Sequence, residues 1–212
     1  MIATPAPDCP LCPRLAAFRR ANCAAYPGFH NDPVPSFGPL SARLLVIGLA
    51  PGLKGANRTG RPFTGDYAGD LLYPTLLKFG FAAGRYGREA DDGLRLADCR
   101  ITNAVRCVPP ENKPTGDEAK TCRRFLSAEI AAMPGLQVMV ALGAVAHRAA
   151  LAALDQRQAP WPFAHGALHH LPDGMVLADS YHCSRYNTNT GRLTPAMFES
   201  VFAAVRDLIA IS

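Results

Sequence analysis

Hydrophobic residues in this chain occur either in short unbroken runs or at helical spacing within longer segments. The unbroken runs predict buried strands at 43–48 and 137–142, and two further short strands are predicted at 100–105 and 175–178. The segments of helical spacing predict helices at 67–79, from 117 onward, at 143–154 and at 196–209. The proline-rich segment around Cys9 and Cys12 shows neither period, so no helix or strand is predicted there.

Strands and helices alternate along the sequence, and this alternation predicts an α/β fold built from parallel βαβ units. We expect three layers, with helices on both faces of a central, mainly parallel sheet. No repeat or linker divides the sequence, so residues 1–212 are expected to form a single domain with segment 1–35 packed on it. Ligands of such sheets bind beyond the carboxyl ends of the strands, which selects the segments 48–66, 103–115 and 180–190.

Composition narrows the class of protein. Hydrophobic residues make up 49% of the 212 residues and charged residues 18%, which indicates a folded core and excludes a disordered or fibrous chain. Lys and Arg outnumber Asp and Glu by 22 to 17, a balance that suits a polyanionic partner without establishing one. No apolar run approaches the ~20 residues that span a bilayer, and no signal-peptide pattern is present. A cytoplasmic, monomeric protein with reduced cysteines and no membrane contact is therefore expected.

Seven cysteines in such a protein need an explanation other than disulfides. Cys9 and Cys12 form a C-x2-C pair, and Cys107 and Cys122 are the natural second pair because basic residues surround them. Four thiolates suit either zinc or a 4Fe-4S cluster, and the alternative is that these cysteines are small buried hydrophobes. The remaining cysteines are Cys23, Cys99 and Cys183.

The first loop after a strand is rich in glycine and in basic residues. Four glycines follow Gly48 in it, namely Gly52, Gly55, Gly60 and Gly65, and they allow a ligand to approach the backbone closely. The loop matches neither nucleotide-binding glycine motif, so a mononucleotide site is weakly supported. Lys54, Arg58 and Arg61 instead favour contact with a DNA backbone, although a merely solvated loop would carry the same residues.

Two polar residues follow the other strands. Asn103, at the end of a buried strand, offers a donor and an acceptor to one planar edge, as reading uracil requires; its alternative role is to cap the local turn. His182 lies among hydroxyl and amide side chains and close to Arg185, although a lone histidine is often structural.

Together these segments resemble the iron-sulfur branch of the uracil-DNA glycosylase superfamily, in particular its fifth family, the B-type enzymes. The motifs read Gly48-Leu-Ala-Pro-Gly52 with Asn57-Arg-Thr-Gly-Arg-Pro-Phe-Thr-Gly-Asp66, then Ile101-Thr-Asn-Ala-Val-Arg-Cys107, then Ser180-Tyr-His182 with Asn187-Thr-Asn-Thr-Gly-Arg-Leu-Thr194. The A-type enzymes have an acidic residue in the first motif where this chain has Leu49, which favours the B-type. Cys183 stands where the family usually has proline.

The resemblance implies an enzyme that extrudes uracil, or another damaged base such as hypoxanthine, from double- or single-stranded DNA and hydrolyses the N-glycosidic bond. It implies a 4Fe-4S cluster on Cys9, Cys12, Cys107 and Cys122, rather than zinc. It implies a base pocket made of Gly48, Ala50, Pro51, Gly52, Phe63, Asn103 and His182. In that pocket Phe63 stacks on the base, Asn103 reads its edge, and His182 stabilises the departing base anion.

Asp66 is our candidate for stabilising the sugar cation or orienting water, and its alternative role is the N-cap of the helix that begins near Tyr67. The residues expected to contact DNA are Lys54, Asn57, Arg58, Arg61, Arg185 and Asn187. Segment 185–191 is expected to be a loop that fills the gap in the base stack. Two other function classes stay open, a non-catalytic iron-sulfur or zinc protein that binds nucleic acid, and a nucleotide-binding α/β enzyme acting on small molecules.

Overall fold

A computed structural model describes residues 2–211 of the chain. Its central sheet contains five strands: β1 (Leu44–Gly48), β4 (Cys99–Asn103), β5 (Val138–Leu142), β6 (Leu168–His170) and β7 (Val176–Ser180). Their order is β4-β1-β5-β7-β6, and every neighbouring pair is parallel except β6 with β7. Strands β1, β5 and β7 are buried along their whole length, as both faces of a covered parallel sheet require.

Helices cover both faces of the sheet. The helices α3 (Tyr67–Lys78) and α7 (Pro195–Ile211) pack on one face, and α4 (Gly116–Ala131) and α5 (Ala144–Ala153) pack on the other. Successive strand residues point to opposite faces, so Leu44 and Val46 join the first core and Leu45 and Ile47 the second. The predicted three-layer α/β fold with a mainly parallel sheet is confirmed.

Local signals fix where the helices begin. Asp66 is the N-cap of α3 and accepts from the backbone N–H groups of Ala68 and Gly69. Thr115 and Glu118 form a reciprocal capping box at the start of α4. Proline occupies the first helical position of α7, where its missing N–H would have had no partner in the helix.

Two α-helices and three short strands lie in segments where no element was predicted. The helix α1 (Pro13–Ala25) follows the cysteine pair directly, and α2 (Ala56–Thr59) is a single turn within the glycine-rich loop. The short hairpin of β2 (Ala82–Ala83) and β3 (Arg95–Leu96) and the antiparallel edge strand β6 are the others. The prediction that segment 185–191 is a loop was wrong, because Ser184 caps a short helix, α6 (Arg185–Asn189). Within residues 2–211, no helix has both the length and the apolar character required to cross a bilayer.

Candidate active site

The carboxyl ends of β1, β5 and β7 open onto a cavity of about 760 Å³. Its lining comes from the glycine-rich loop, the starts of α3 and α5, and the residues after β7, including His182 and Arg185. The strands β1 and β4 end side by side at a corner next to the cavity, because their register pairs Gly48 with Asn103 and the residue after Gly48, Leu49, lines the cavity. The cavity therefore lies at the edge of the sheet that the parallel topology predicts.

Gly48, Phe63 and Asn103 meet in that corner. A Cβ on Gly48 would lie 2.3 Å from Asn103 Oδ1 and 2.5 Å from Phe63 Cζ, so no other residue fits without moving them. The Asn103 side chain is buried, and its Oδ1 has no hydrogen-bond partner among the described residues. A buried acceptor without a partner costs free energy until a donor reaches it. The corner is therefore ready to accept a hydrogen bond from a ligand.

Phe63 is held in a conformation that a bulky side chain rarely adopts. Its φ is +54°, in the left-handed region, and its ring lies 6.0 Å from the ring of His182 at an interplanar angle of 29°. A Cβ on Gly69 would lie 1.9 Å from the Phe63 carbonyl oxygen, so the glycine allows α3 to approach Phe63 closely. Strain of this kind persists only where the surroundings impose it, which is common at functional sites.

His182 lines the cavity as a neutral imidazole. Burial lowers the pKa of His182 to about 4, so the ring carries no charge near neutral pH. The backbone around it is fixed by Asn187, whose Nδ2 donates to the His182 carbonyl oxygen at 2.8 Å. Because the ring is neutral and lines the cavity, it can donate one N–H hydrogen bond to a ligand there.

Asp66 caps a helix and also faces the cavity. Its Oδ1 accepts from Ala68 and Gly69, whereas its Oδ2 points at Gly52 and Gly55, where added Cβ atoms would lie 3.3 and 2.4 Å away. Burial raises the pKa of Asp66, because a charged carboxylate is poorly solvated there. The cap and the cavity-facing oxygen belong to the same side chain, so its two predicted roles are compatible.

Sequence reasoning missed Asn112, which also lines the cavity. Its Oδ1 lies 4.0 Å from where a Cβ of Gly52 would be, so it faces the same glycine as Asp66. Glu111 and Asn112 have φ values of +55° and +56°, two consecutive non-glycine residues in the left-handed region. Asparagine tolerates that region better than most residues, which was the only available signal.

The four predicted cysteine ligands lie together around a second, small pocket. Cys107 and Cys122 are buried with Leu15, Val105 and Phe125, and Cys9 and Cys12 pack against them. Burial raises the pKa of Cys107 to about 11. The pKa of Cys12 is also raised to about 11, mainly by burial and secondly by the nearby Cys122. Arg19, itself buried, donates to Cys107 Sγ at 3.5 Å and to the Cys9 carbonyl oxygen at 3.1 Å.

The other three cysteines lie elsewhere. Cys23 is exposed on α1, whereas Cys99 and Cys183 are buried in the core on the α3 and α7 face of the sheet. Ala50 connects the two sites, because it lines the cavity and also packs against the cysteine group. Pro51 beside it is buried.

Residues 35–206 match the family model described as the uracil DNA glycosylase superfamily. The chain belongs to this superfamily. A type-5 uracil-DNA glycosylase from Thermus thermophilus is 46% identical over 208 residues, covering 96% of this chain and 94% of the relative. One from Pyrobaculum aerophilum is 41% identical over 194 residues, covering 88% and 83%. A type-4 enzyme from Thermotoga maritima is 37% identical over 135 residues, 62% of each chain. The predicted membership of the fifth, B-type family is confirmed.

In this superfamily member, two residues that we expected to contact DNA are buried instead. Arg61 forms a two-pronged ion pair with Asp92, at 2.8 and 2.7 Å, and both side chains are only 5% exposed. Asn57 is fully buried and donates to Asn31 Oδ1 at 2.9 Å. Both side chains hold the glycine-rich loop in shape, so we withdraw them from the predicted DNA-contacting set.

The other expected contact residues lie nearer the surface of the glycosylase. Lys54 is exposed at the cavity, and Arg58 is partly exposed but paired with Glu89 at 2.9 Å. Arg185 lies at the cavity mouth, with its guanidinium 5.4 Å from the centre of the Tyr67 ring. Asn187 is partly buried, and its side-chain amide is engaged with the backbone of His182.

Sequence reasoning also missed Tyr186. Its side chain is 72% exposed, on α6 next to Arg185, which lines the cavity. An exposed aromatic ring can stack on nucleic-acid bases. The signal was available in the sequence, since Tyr186 lies between Arg185 and Asn187.

Proposed function

We propose that this chain is a monofunctional DNA repair glycosylase that hydrolyses the bond between uracil and deoxyribose and leaves an abasic site. The observation that carries this conclusion is the corner where the unpartnered oxygen of Asn103 lies beside Gly48 and Phe63. The Phe63 ring is stacked on that of His182 at 6.0 Å, next to a cavity that Asp66 faces. The family membership and the type-5 glycosylase relatives support the same activity.

Recognition of the extruded base would depend on Asn103. Uracil presents an N–H between two carbonyl oxygens, and a side-chain amide has both groups needed to pair with that edge. The buried Asn103 Oδ1 would accept the N–H, which supplies the partner that this oxygen lacks. Phe63 would stack on the face of the base, since its ring is fixed by the strained backbone and by contact with His182.

Bond cleavage leaves negative charge on the base, and His182 is placed to accommodate it. A neutral imidazole can donate its N–H to a carbonyl oxygen of the leaving base as charge develops there. The pKa of His182, lowered to about 4, keeps the ring neutral at physiological pH. The ring would therefore act as a preorganised hydrogen-bond donor and would not transfer a proton.

Asp66 would stabilise the developing cation on the sugar, and Asp66 and Asn112 would bind the attacking water. Both side chains face Gly52, and the Asp66 Oδ2 is the oxygen that does not cap α3. A carboxylate there can stabilise positive charge on the sugar and accept a proton from water. The Asn112 amide, which faces the same glycine, can hold that water by a hydrogen bond.

DNA would lie across the mouth of the cavity. Lys54 and Arg185 supply positive charge for phosphates, and the first turn of α5, which has no side-chain cap, offers backbone N–H groups at the cavity wall. Tyr186 would insert beside the extruded nucleotide and stack in its place. We also propose that one chain suffices, because the residues named here all come from a single chain.

We further propose a 4Fe-4S cluster on Cys9, Cys12, Cys107 and Cys122. The donor set fits: thiols from three segments face one pocket, and Arg19 beside them offers positive charge to balance thiolates. When bound, such a cluster ties these segments together through iron–thiolate bonds. Because Ala50 lies between the cysteines and the cavity, the cluster would also stiffen the wall of the base pocket.

The proposal is tested by incubating the protein with duplexes that carry one uracil, one hypoxanthine or no lesion. We expect free uracil to be released and, more slowly, hypoxanthine, because the cavity exceeds the size of a pyrimidine. Asn103→Ala should lose this discrimination between bases while retaining affinity for abasic DNA. Binding of DNA without release of any base would favour the non-catalytic alternative and contradict the proposal.

A further inference from the structure

A buried polar network surrounds Asp179 in β7, outside the cavity. Asp179 has no exposed surface, and its carboxylate has three partners. His147 Nδ1 on α5 lies 2.7 Å from Oδ1, and His169 Nε2 on β6 lies 2.9 Å from Oδ2. The backbone N–H of Ala164 also donates to Oδ2, at 3.2 Å. The chain thus places three ionisable side chains in its interior, an arrangement that is costly unless every hydrogen bond is made.

The hydrogen-bond partners of His147 determine how many protons the His147–Asp179 pair holds. His147 Nε2 lies 2.8 Å from the Trp161 carbonyl oxygen, which can only accept, so Nε2 carries a hydrogen. In a neutral ring, Nδ1 would then be a bare acceptor facing a carboxylate oxygen at 2.7 Å. One proton must lie between Nδ1 and Oδ1, whichever of the two atoms holds it.

The pair joins two segments that meet at His182. His147 lies one turn into α5, and its N–H donates to the carbonyl oxygen of Gly143, the residue before that helix. The Gly143 N–H donates to the Ser180 carbonyl oxygen at 2.8 Å, and a Cβ on Gly143 would lie 3.6 Å from His182 Cβ. The His147–Asp179 bond therefore holds the first turn of α5 against the end of β7, beside His182.

Asp179 also fixes a segment that supports the residue before His182. The Asp179 carbonyl oxygen accepts from the Gly166 N–H at 2.8 Å and the Asp179 N–H donates to the Ala167 carbonyl oxygen at 2.9 Å, in addition to the side-chain bond from Ala164 in the same segment. In the same segment, His165 Nδ1 accepts from the Tyr181 N–H at 3.1 Å, and the two rings stack with centroids 4.9 Å apart. Two routes thus lead from Asp179 to the backbone of His182.

We propose that the Asp179–His147–His169 network is a positioning device for His182. The inference rests on the proposed function, in which His182 stabilises the departing base. The network fixes the end of β7 against α5 and against segment 161–167, and this fixes the direction of the His182 N–H. Misplacing a catalytic group by about 1 Å can cost on the order of 100-fold in rate, so the chemical step is sensitive to this support.

The test compares Asp179→Ala with Asp179→Asn under single-turnover conditions. The amide of Asn can donate to His147 Nδ1 and accept from His169 and Ala164, so it preserves the network without an ionisable group. We expect Asp179→Ala to lower the excision rate by about 10- to 100-fold at unchanged affinity for abasic DNA, and Asp179→Asn to restore most of that rate. Equal losses in both variants, or no loss in Asp179→Ala, would overturn the inference.

Three further measurements keep the outcome decisive. His165→Ala removes only the contact between segment 161–167 and Tyr181 and leaves the buried network intact. This variant should therefore fold and have a lower excision rate. His170→Ala, on the exposed side of β6, should keep the wild-type excision rate. Wild-type protein should contain no zinc beyond the level found in Asp179→Ala, because a proton and not a metal joins His147 to Asp179; stoichiometric zinc there would overturn the assignment. Full activity of His182→Ala would instead contradict the proposed function on which the inference rests.

Discussion

Asp66 combines a structural role as a helix cap and a proposed chemical role in one carboxylate. Two substitutions of this residue can separate the two roles. Asn at position 66 still caps α3, because asparagine is as good an N-cap as aspartate, but it carries no charge. We predict that Asp66→Asn and Asp66→Ala both lower the single-turnover excision rate by about 10²- to 10³-fold. Only Asp66→Ala should also lose about 1 kcal/mol of unfolding free energy.

Urea unfolding and single-turnover kinetics on the same two preparations measure both effects. A near wild-type rate for Asp66→Asn would show that the carboxylate is only a cap. In that case the acid would be unnecessary or would lie elsewhere in the cavity.

Single residues also show where sequence reasoning fails. Sequence reasoning could choose Asn103, His182 and Asp66 because each lies at the end of a strand, just after one, or just after a glycine-rich turn. The place of such a residue in an α/β fold follows from its place in the sequence. Arg61 and Asn57 could not be judged in that way. Their burial depends on Asp92 and Asn31, which lie 31 and 26 residues away in sequence, and nothing local indicates those partners.

At the scale of elements, α6 is the helix that would meet the DNA. Tyr186 is exposed on it and makes no packing contribution to the core. We predict that Tyr186→Ala slows excision from a U:A duplex by about tenfold, since lost stacking of about 1 to 3 kcal/mol disfavours the extruded state. Uracil in single-stranded DNA should be affected much less, because it needs no extrusion from a duplex.

Tyr186→Phe is the matched control, since it keeps the ring and should keep the rate. A fluorescent base placed opposite the lesion would report extrusion directly. An equal slowing of single- and double-stranded substrates by Tyr186→Ala would argue against a stacking role.

The N-terminal helix shows why one element was missed. Its buried residues, Leu15, Ala16, Arg19 and Asn22, do follow helical spacing, but two of them are polar. Arg19 is buried here because Cys107 Sγ and the Cys9 carbonyl oxygen accept hydrogen bonds from its guanidinium. A search for apolar residues at helical period cannot detect such a helix.

The same segment yields a prediction about the cluster. Purified protein should be yellow-brown, and Cys107→Ala should lose its iron and its broad absorption in the visible region because thiolate ligands are missing. Its thermal midpoint should also fall, since metal binding and folding are coupled. Cys23→Ala removes an exposed cysteine on α1 and should retain both iron and colour. Stoichiometric zinc without iron in the wild-type protein would contradict the proposed cluster.

At the scale of the whole molecule, the fold was the most predictable property. Buried parallel strands are often continuous apolar runs, as β1 and β5 are, whereas β4 and β7 begin with buried residues and end in polar ones. The strand β6 differs from these four, because its residues alternate between exposed and buried at the edge of the sheet and it contains only three residues. The cavity location followed from topology alone, whereas its shape depends on loops whose conformations the pattern does not determine.

The stability of the whole molecule should depend on pH as expected for a neutral histidine with a lowered pKa. The pKa of His182 is about 4 in the folded protein and about 6.5 in an unfolded chain, so the unfolded state binds a proton first as pH falls. We predict that wild-type protein loses stability between about pH 6.5 and 4 more steeply than His182→Gln. The raised pKa of Asp66 acts in the opposite direction but is common to both proteins. Identical acid dependence of the two proteins in urea unfolding would contradict a neutral His182 with a lowered pKa.

The most direct test of the central claim is to count the products of one turnover. Protein in excess over a duplex with a single uracil opposite guanine should release one free uracil per duplex and leave one abasic site in an uncut strand, as mass spectrometry would detect. His182→Ala and Asp66→Asn should reach the same products far more slowly. A protein that binds this duplex tightly and leaves every uracil attached would contradict the account.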